Sequence, residues 1–115
     1  MADVLLTSGD RLPELVVVLR DSTGTAVSLA ANPGAGIPAA TVRFLMRPIG
    51  IATPVIAEDA TVVDAAAGRV KYVWQEGETA VAGFYEAEFE ATWGLRTQTF
   101  PTGTPLLVQI RGQIG

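Results

Sequence analysis

The sequence predicts an all-β protein, a sandwich of two antiparallel sheets with about seven to eight strands. Three observations carry that expectation. Apolar and polar residues alternate with period two through most of the chain, the pattern of strands with one buried face. Apolar residues at helical spacing are nearly absent. Clusters of Gly, Pro, Asp and Asn interrupt the alternation at short intervals, which is the turn chemistry a sandwich requires.

The first candidate strand covers residues 14–20, with Leu15, Val17 and Leu19 inward and Val16 and Val18 outward. The turn Asp21-Ser22-Thr23-Gly24 ends it. Residues 41–47 follow, with Val42, Phe44 and Met46 on one face and Arg43 and Arg47 on the other. Short strands are expected at 55–57 and 61–63. Residues 69–74 point Val70, Tyr72 and Trp74 inward. The longest strand, 84–93, buries Tyr85, Ala87, Phe89, Ala91 and Trp93 and turns Glu86, Glu88 and Glu90 outward. Two more strands, 95–100 and 106–111, complete the set. The expected aromatic core is therefore Phe44, Tyr72, Trp74, Tyr85, Phe89 and Trp93. Tyr85 opens the long strand after Gly83-Phe84, a position where sandwich domains turn a tyrosine hydroxyl back onto nearby backbone.

With 115 residues and neither repeat nor linker, the chain reads as a single domain over 1–115. Its charged fraction, 17%, is low, and its hydrophobic fraction, 49%, is high, so part of the outside is expected to be covered by a partner. Twelve acids face seven arginines and the single lysine Lys71, a net charge of −4. That balance lacks the basic footprint of a nucleic-acid binder. Cys and His are both absent, which removes ordinary zinc sites and Ser-His or Cys-His catalysis. The turn acids Asp10, Asp21, Asp59, Asp64, Glu76 and Glu78 never place three carboxylates in register, so no metal, cofactor or small-molecule substrate is expected. The start of the chain lacks a basic segment before an apolar run, and the longest apolar run, Leu15 to Leu19, has five residues. Neither a secretory signal nor a membrane span is expected, and the chain is expected to be made and kept in a cytoplasm.

The order of motifs carries a further indication. Gly9-Asp10-Arg11-Leu12-Pro13-Glu14-Leu15 leads into a strand ending Leu19-Arg20-Asp21-Ser22-Thr23-Gly24. Ala40-Thr41-Val42-Arg43-Phe44-Leu45-Met46-Arg47 and Val63-Asp64-Ala65-Ala66-Ala67-Gly68-Arg69-Val70 follow. Then come Tyr72-Val73-Trp74, Gly77-Glu78-Thr79, Gly83-Phe84-Tyr85-Glu86-Ala87-Glu88-Phe89 and Thr99-Phe100-Pro101. Over residues 9–111 this order resembles the immunoglobulin-like N-terminal domain of phage baseplate upper proteins. The resemblance implies an immunoglobulin-like sandwich and a structural, non-enzymatic role in a virion, assembled in a host bacterial cytoplasm. In that family the domain attaches a longer protein to the tail baseplate. Here the chain stops at Gly115, so the expectation is a free-standing adaptor of the tail, baseplate or connector, or a capsid decoration protein on the head. The partners would be other virion proteins, with many copies in a symmetric assembly. The stretch 30–40 is longer than the family's tight connection.

Outward apolar residues are the expected partner-interface candidates: Val16, Val18, Leu45, Val73 and Phe84, which together could form a patch. Ile37 joins them from the stretch 30–40, which reads either as a mobile surface loop or as a loop ordered by a neighbouring subunit. The acidic row Glu86, Glu88, Glu90 is expected to pair with Arg69 and Lys71 on a neighbouring strand. Two other functions compete with assembly. A carbohydrate or host-surface binding module would need exposed aromatics or a polar groove, and the loops here are rich in Ala, Gly and Pro. An enzyme would need a nucleophile and base that this inventory does not offer.

Overall fold

The computed structural model describes residues 4–9, 14–101 and 105–112. Asp10, Arg11, Leu12 and Pro13, part of the first motif above, lie outside the described residues. Nine strands are present among the described residues: β1 (Val4–Thr7), β2 (Leu15–Val18), β3 (Thr41–Pro48), β4 (Ile56–Asp59), β5 (Thr61–Asp64), β6 (Arg69–Tyr72), β7 (Gly83–Trp93), β8 (Arg96–Phe100) and β9 (Leu106–Arg111).

The strands form two sheets. The larger has six strands in the order β1-β9-β7-β3-β4, with β8 also paired to β7, and the smaller runs β2-β6-β5. The eleven-residue β7 is the spine of the larger sheet. Along one side β3 pairs with it from Pro48↔Tyr85 to Thr41↔Thr92. The other side is divided between β9, from Gly83↔Ile110 to Ala87↔Leu106, and β8, from Phe89↔Phe100 to Trp93↔Arg96.

Two features depart from the sequence expectation. A strand precedes residue 14, and it pairs in parallel with β9, Val4 opposite Val108 and Thr7 opposite Arg111. Sequence pattern reveals antiparallel neighbours through the turn between them, and these two strands come from opposite ends of the described chain with no turn in common. At four residues, β1 is also too short to display an alternation of its own.

The inward faces of the two sheets meet in one core. Phe44 on β3 stacks on Tyr72 of β6, with ring centroids 4.4 Å apart and planes at 22°. Trp74 meets Phe44 edge-on at 5.7 Å and Tyr72 at 5.4 Å, and Phe89 lies 5.1 Å from Phe44. Each such ring contact contributes about 0.5–1.5 kcal/mol beyond the burial itself. Phe44, Tyr72, Trp74, Tyr85 and Phe89 are all buried. Trp93 is the exception among the six aromatics: it is half-buried and packs against the core from its edge, because β7 ends there and the chain turns at Gly94.

Both core tyrosines find partners for their hydroxyls. Tyr85 Oη donates to the Val81 carbonyl at 2.7 Å, four residues upstream, the geometry of a tyrosine corner. Tyr72 Oη donates to both carboxylate oxygens of Glu78 at 2.8 Å, and Glu78 Oε1 also accepts the Gln75 backbone N–H at 2.7 Å. Burial, followed by the Glu78 carboxylate, pushes the Tyr72 phenol well above its ordinary value.

One glycine is required by its surroundings. Gly68 has φ of 70°, and a Cβ there would collide with the Val27 carbonyl and crowd the Leu19 carbonyl at 3.2 Å. Its own carbonyl accepts the Leu19 N–H at 2.8 Å, tying the β5–β6 turn to the end of β2. The stretch 30–40 is tied by its own backbone. Asn32 and Ile37 exchange two hydrogen bonds around a 3-10 turn at Pro33–Ala35, and Ala40 donates to the Leu29 carbonyl.

Candidate protein interface on the larger sheet

The pleat sorts outward residues onto two faces that the core separates. Leu45 and Phe84 lie on the outer face of the larger sheet. Val16, Val18 and Val73 belong to the outward phase of the smaller one, where Val16 stands opposite Lys71 and Val18 opposite Arg69. Of these, Val16 and Phe84 are exposed and Val18, Leu45 and Val73 are half-buried. The expected candidates therefore do not form a single patch. Ile37 lies elsewhere again, beside Trp93, Arg96 and Gln98 in a groove near the β7–β8 hairpin.

On the larger sheet, cross-strand registers assemble a face that no single strand reveals. Leu5 on β1 stands opposite Gln109, Gln109 opposite Phe84, and the Ile49 N–H donates to the Phe84 carbonyl at 3.2 Å. Leu5, Phe84 and Ile49 are 58%, 54% and 51% exposed, so one row across the sheet carries three large apolar side chains in water, Phe84 next to Ile49 and Leu5 on the far side of Gln109. Ile51 and Val55, on the β3–β4 connection beside this row, are also exposed. Scattered apolar residues on a surface mean little, whereas a contiguous group marks an interaction site.

The charged rows follow along the same face. Glu86 is opposite Arg47, Glu88 opposite Leu45, and Glu90 opposite Arg43. This corrects the expected pairing with Arg69 and Lys71. Those cations sit on β6 in the other sheet, where Lys71 meets Glu14 at 3.5 Å. Strands adjacent in sequence need not be neighbours in space, and a sandwich sends β6 and β7 to different sheets. Arg47 Nη2 reaches Glu86 Oε1 only at 3.9 Å, a solvent-exposed pair worth at most about 1 kcal/mol. Arg43 instead donates to the Ala57 carbonyl at 3.2 Å. Among the described residues, Glu88, Glu90 and Arg43 have no ion-pair partner.

Beyond the charges the face ends in threonines: Thr41 opposite Thr92, and Thr92 opposite Thr97 with hydroxyls 3.3 Å apart. Leu45, Arg47, Pro54, Glu86, Glu88 and Pro105 line a shallow depression near the middle. The carboxylates around it are spread along an open strand rather than converging on a buried point. Such a surface can hold another protein by apolar and ionic contact. Sequence pattern does not reveal Leu5, Ile49, Ile51 and Val55, which lie in β1 or beside turns, where alternation is too brief to assign a face.

Comparison with known proteins returns no matching family model, no similar curated protein and no similar solved structure.

Proposed function

We propose that the chain is a non-enzymatic structural module of a bacteriophage particle, an adaptor of the tail, baseplate or connector that docks through the outer face of its larger sheet. The observation that carries this reading is the exposed row of Leu5, Phe84 and Ile49, flanked by Ile51 and Val55 and bordered by charges. Large apolar side chains exposed side by side are unfavourable in water, and that cost is relieved when a partner covers them.

The strand order supports the immunoglobulin-like half of the reading. With β2, β3, β5, β6, β7 and β9 taken as B, C, D, E, F and G, one sheet follows B-E-D and the other G-F-C. The hydroxyl of Tyr85 turned back onto Val81 at the start of β7 adds to that support. The virion role rests on the resemblance of the motif order to baseplate upper proteins. The assignment as non-enzymatic rests on a sequence without Cys or His.

The test is density for this chain in a purified particle. The expected result is several symmetry-related copies at the tail or baseplate, with Phe84 and its neighbours covered by another subunit. Copies on the head would move the chain to the capsid decoration role, and a particle containing none would overturn the proposal.

A further inference from the structure

We infer that the outer face of the larger sheet docks a second copy of this chain, through a two-fold axis that runs parallel to the strands between β3 and β7. This deepens the assembly reading and rests on that face being the interface. The argument lies in the register. A two-fold interface brings residue i of one copy to residue j of the other, and j to i. Rotation about an axis parallel to the strands preserves position along them while placing β3 of each copy over β7 of the other.

The residues that meet under this operation are complementary at each level. Because Arg47 is level with Glu86 and Arg43 with Glu90, each arginine of one copy faces the corresponding glutamate of the other. Glu88 faces Leu45, and its level lies between those of Arg43 and Arg47 of the facing strand, about 7 Å along the strand from each. At the apolar end, Phe84 and Ile49, joined by the Ile49 N–H to Phe84 carbonyl bond, exchange places and cover one another. An axis perpendicular to the strands would instead reverse the levels, setting the Phe84 row against the threonines.

Arg43 and Arg47 are four residues apart, about 14 Å along the strand. Where aligned sheets cross at about 30°, either level is displaced sideways by about 4 Å, most of the strand spacing of about 4.8 Å, an offset that the long Arg and Glu side chains have to span. Under this axis four strands, β9, β7, β3 and β4, overlap their counterparts, and with the eight residues of β3 in length they give a face of roughly 19 by 27 Å, about 520 Å² in plan before side-chain relief. Stable interfaces bury about 800 Å² per partner, so this one falls at the small end.

Sedimentation equilibrium of the full chain tests the inference with two reciprocal variants. Arg43→Glu with Arg47→Glu makes both rows acidic, and Glu86→Arg with Glu90→Arg makes both basic. Each alone is expected to raise the dimer dissociation constant about tenfold or more, since like charges then face each other. An equimolar mixture is expected to restore a heterodimer, because acidic rows then meet basic rows at both positions. Circular dichroism verifies that each variant is folded, and the single change Phe84→Lys, at an exposed site, supplies a second probe expected to weaken the dimer. A wild-type chain that stays monomeric to millimolar concentration overturns the inference, as does a dimer unaffected by Phe84→Lys or a mixture that does not associate. A monomeric chain still found in the particle would leave the assembly reading standing, and a dimer absent from the particle would leave only the dimer.

Discussion

The two sheets share one core but present different outer faces. On the larger sheet the outward residues are graded along the strands, apolar around Phe84, charged around Glu86 to Glu90, hydroxylic around Thr92. On the smaller sheet Val16 and Val63 are exposed but interspersed with Thr61, Arg69 and Lys71, and each of its strands has only four residues. Val16 and Phe84 are almost equally exposed, at 52% and 54%, yet they differ in their neighbours. Val16 stands beside Lys71, whereas Phe84 stands in a row with Leu5 and Ile49. An outward apolar residue thus acquires meaning from the strand next to it.

The largest expected effect concerns what the faces have in common. Trp74→Ala should cost roughly 3–5 kcal/mol, because it removes a fully buried ring that touches both Phe44 and Tyr72. Chemical denaturation should then show a single transition at lower denaturant. Two separate transitions would mean that the sheets do not depend on one core.

Next in size is a change confined to the smaller sheet. Gly68→Ala should cost roughly 1–3 kcal/mol from its positive φ alone, and the contact with the Val27 carbonyl adds to that. Amide exchange should quicken first in β2 and β6, which Gly68 connects, and later in β3 and β7. Equal quickening in both sheets would erase the distinction between them.

A pH dependence belongs to the smaller sheet. Tyr72, on the smaller sheet, has its phenol raised above the ordinary value of 10.0, first by burial and then by Glu78. The protonated form is the one the fold favours. Its contribution is therefore complete below pH about 10 and declines as pH rises beyond that toward the folded-state value. Urea midpoints should fall above that pH in the wild type. The fall should be smaller in Glu78→Gln, though still present because burial is the larger cause. An identical alkaline loss in both proteins would remove Glu78 from the account.

The smallest expected effect compares the faces directly. Val16→Lys with Val18→Lys, on the smaller sheet, should cost no more than about 1 kcal/mol per site, since each lysine then stands opposite Lys71 or Arg69. Phe84→Lys should be equally mild for folding. In sedimentation the two should part, Phe84→Lys weakening self-association and the valine pair leaving it intact. The reverse result would transfer the interface to the smaller sheet.

Local pattern was enough to place most of the elements. The alternation in residues 41–47 and 84–93 assigns Phe44, Met46, Tyr85 and Phe89 inward, and the strands β3 and β7 bear those assignments. The interface was less legible. Leu45 and Phe84 could be recognised as outward and apolar, but nothing local indicated that they lie on the opposite side of the core from Val16.

The sequence by itself determined which residues face inward and which outward along the longer strands β3 and β7, because the side-chain period of two belongs to the pleat of each strand. Tertiary structure alone decided which strands became neighbours: β1 beside β9, β3 rather than β6 beside β7, and so Arg43 and Arg47 rather than Arg69 and Lys71 across from the glutamates. Those choices follow from how two sheets best bury a shared core, and that packing couples residues far apart along the chain.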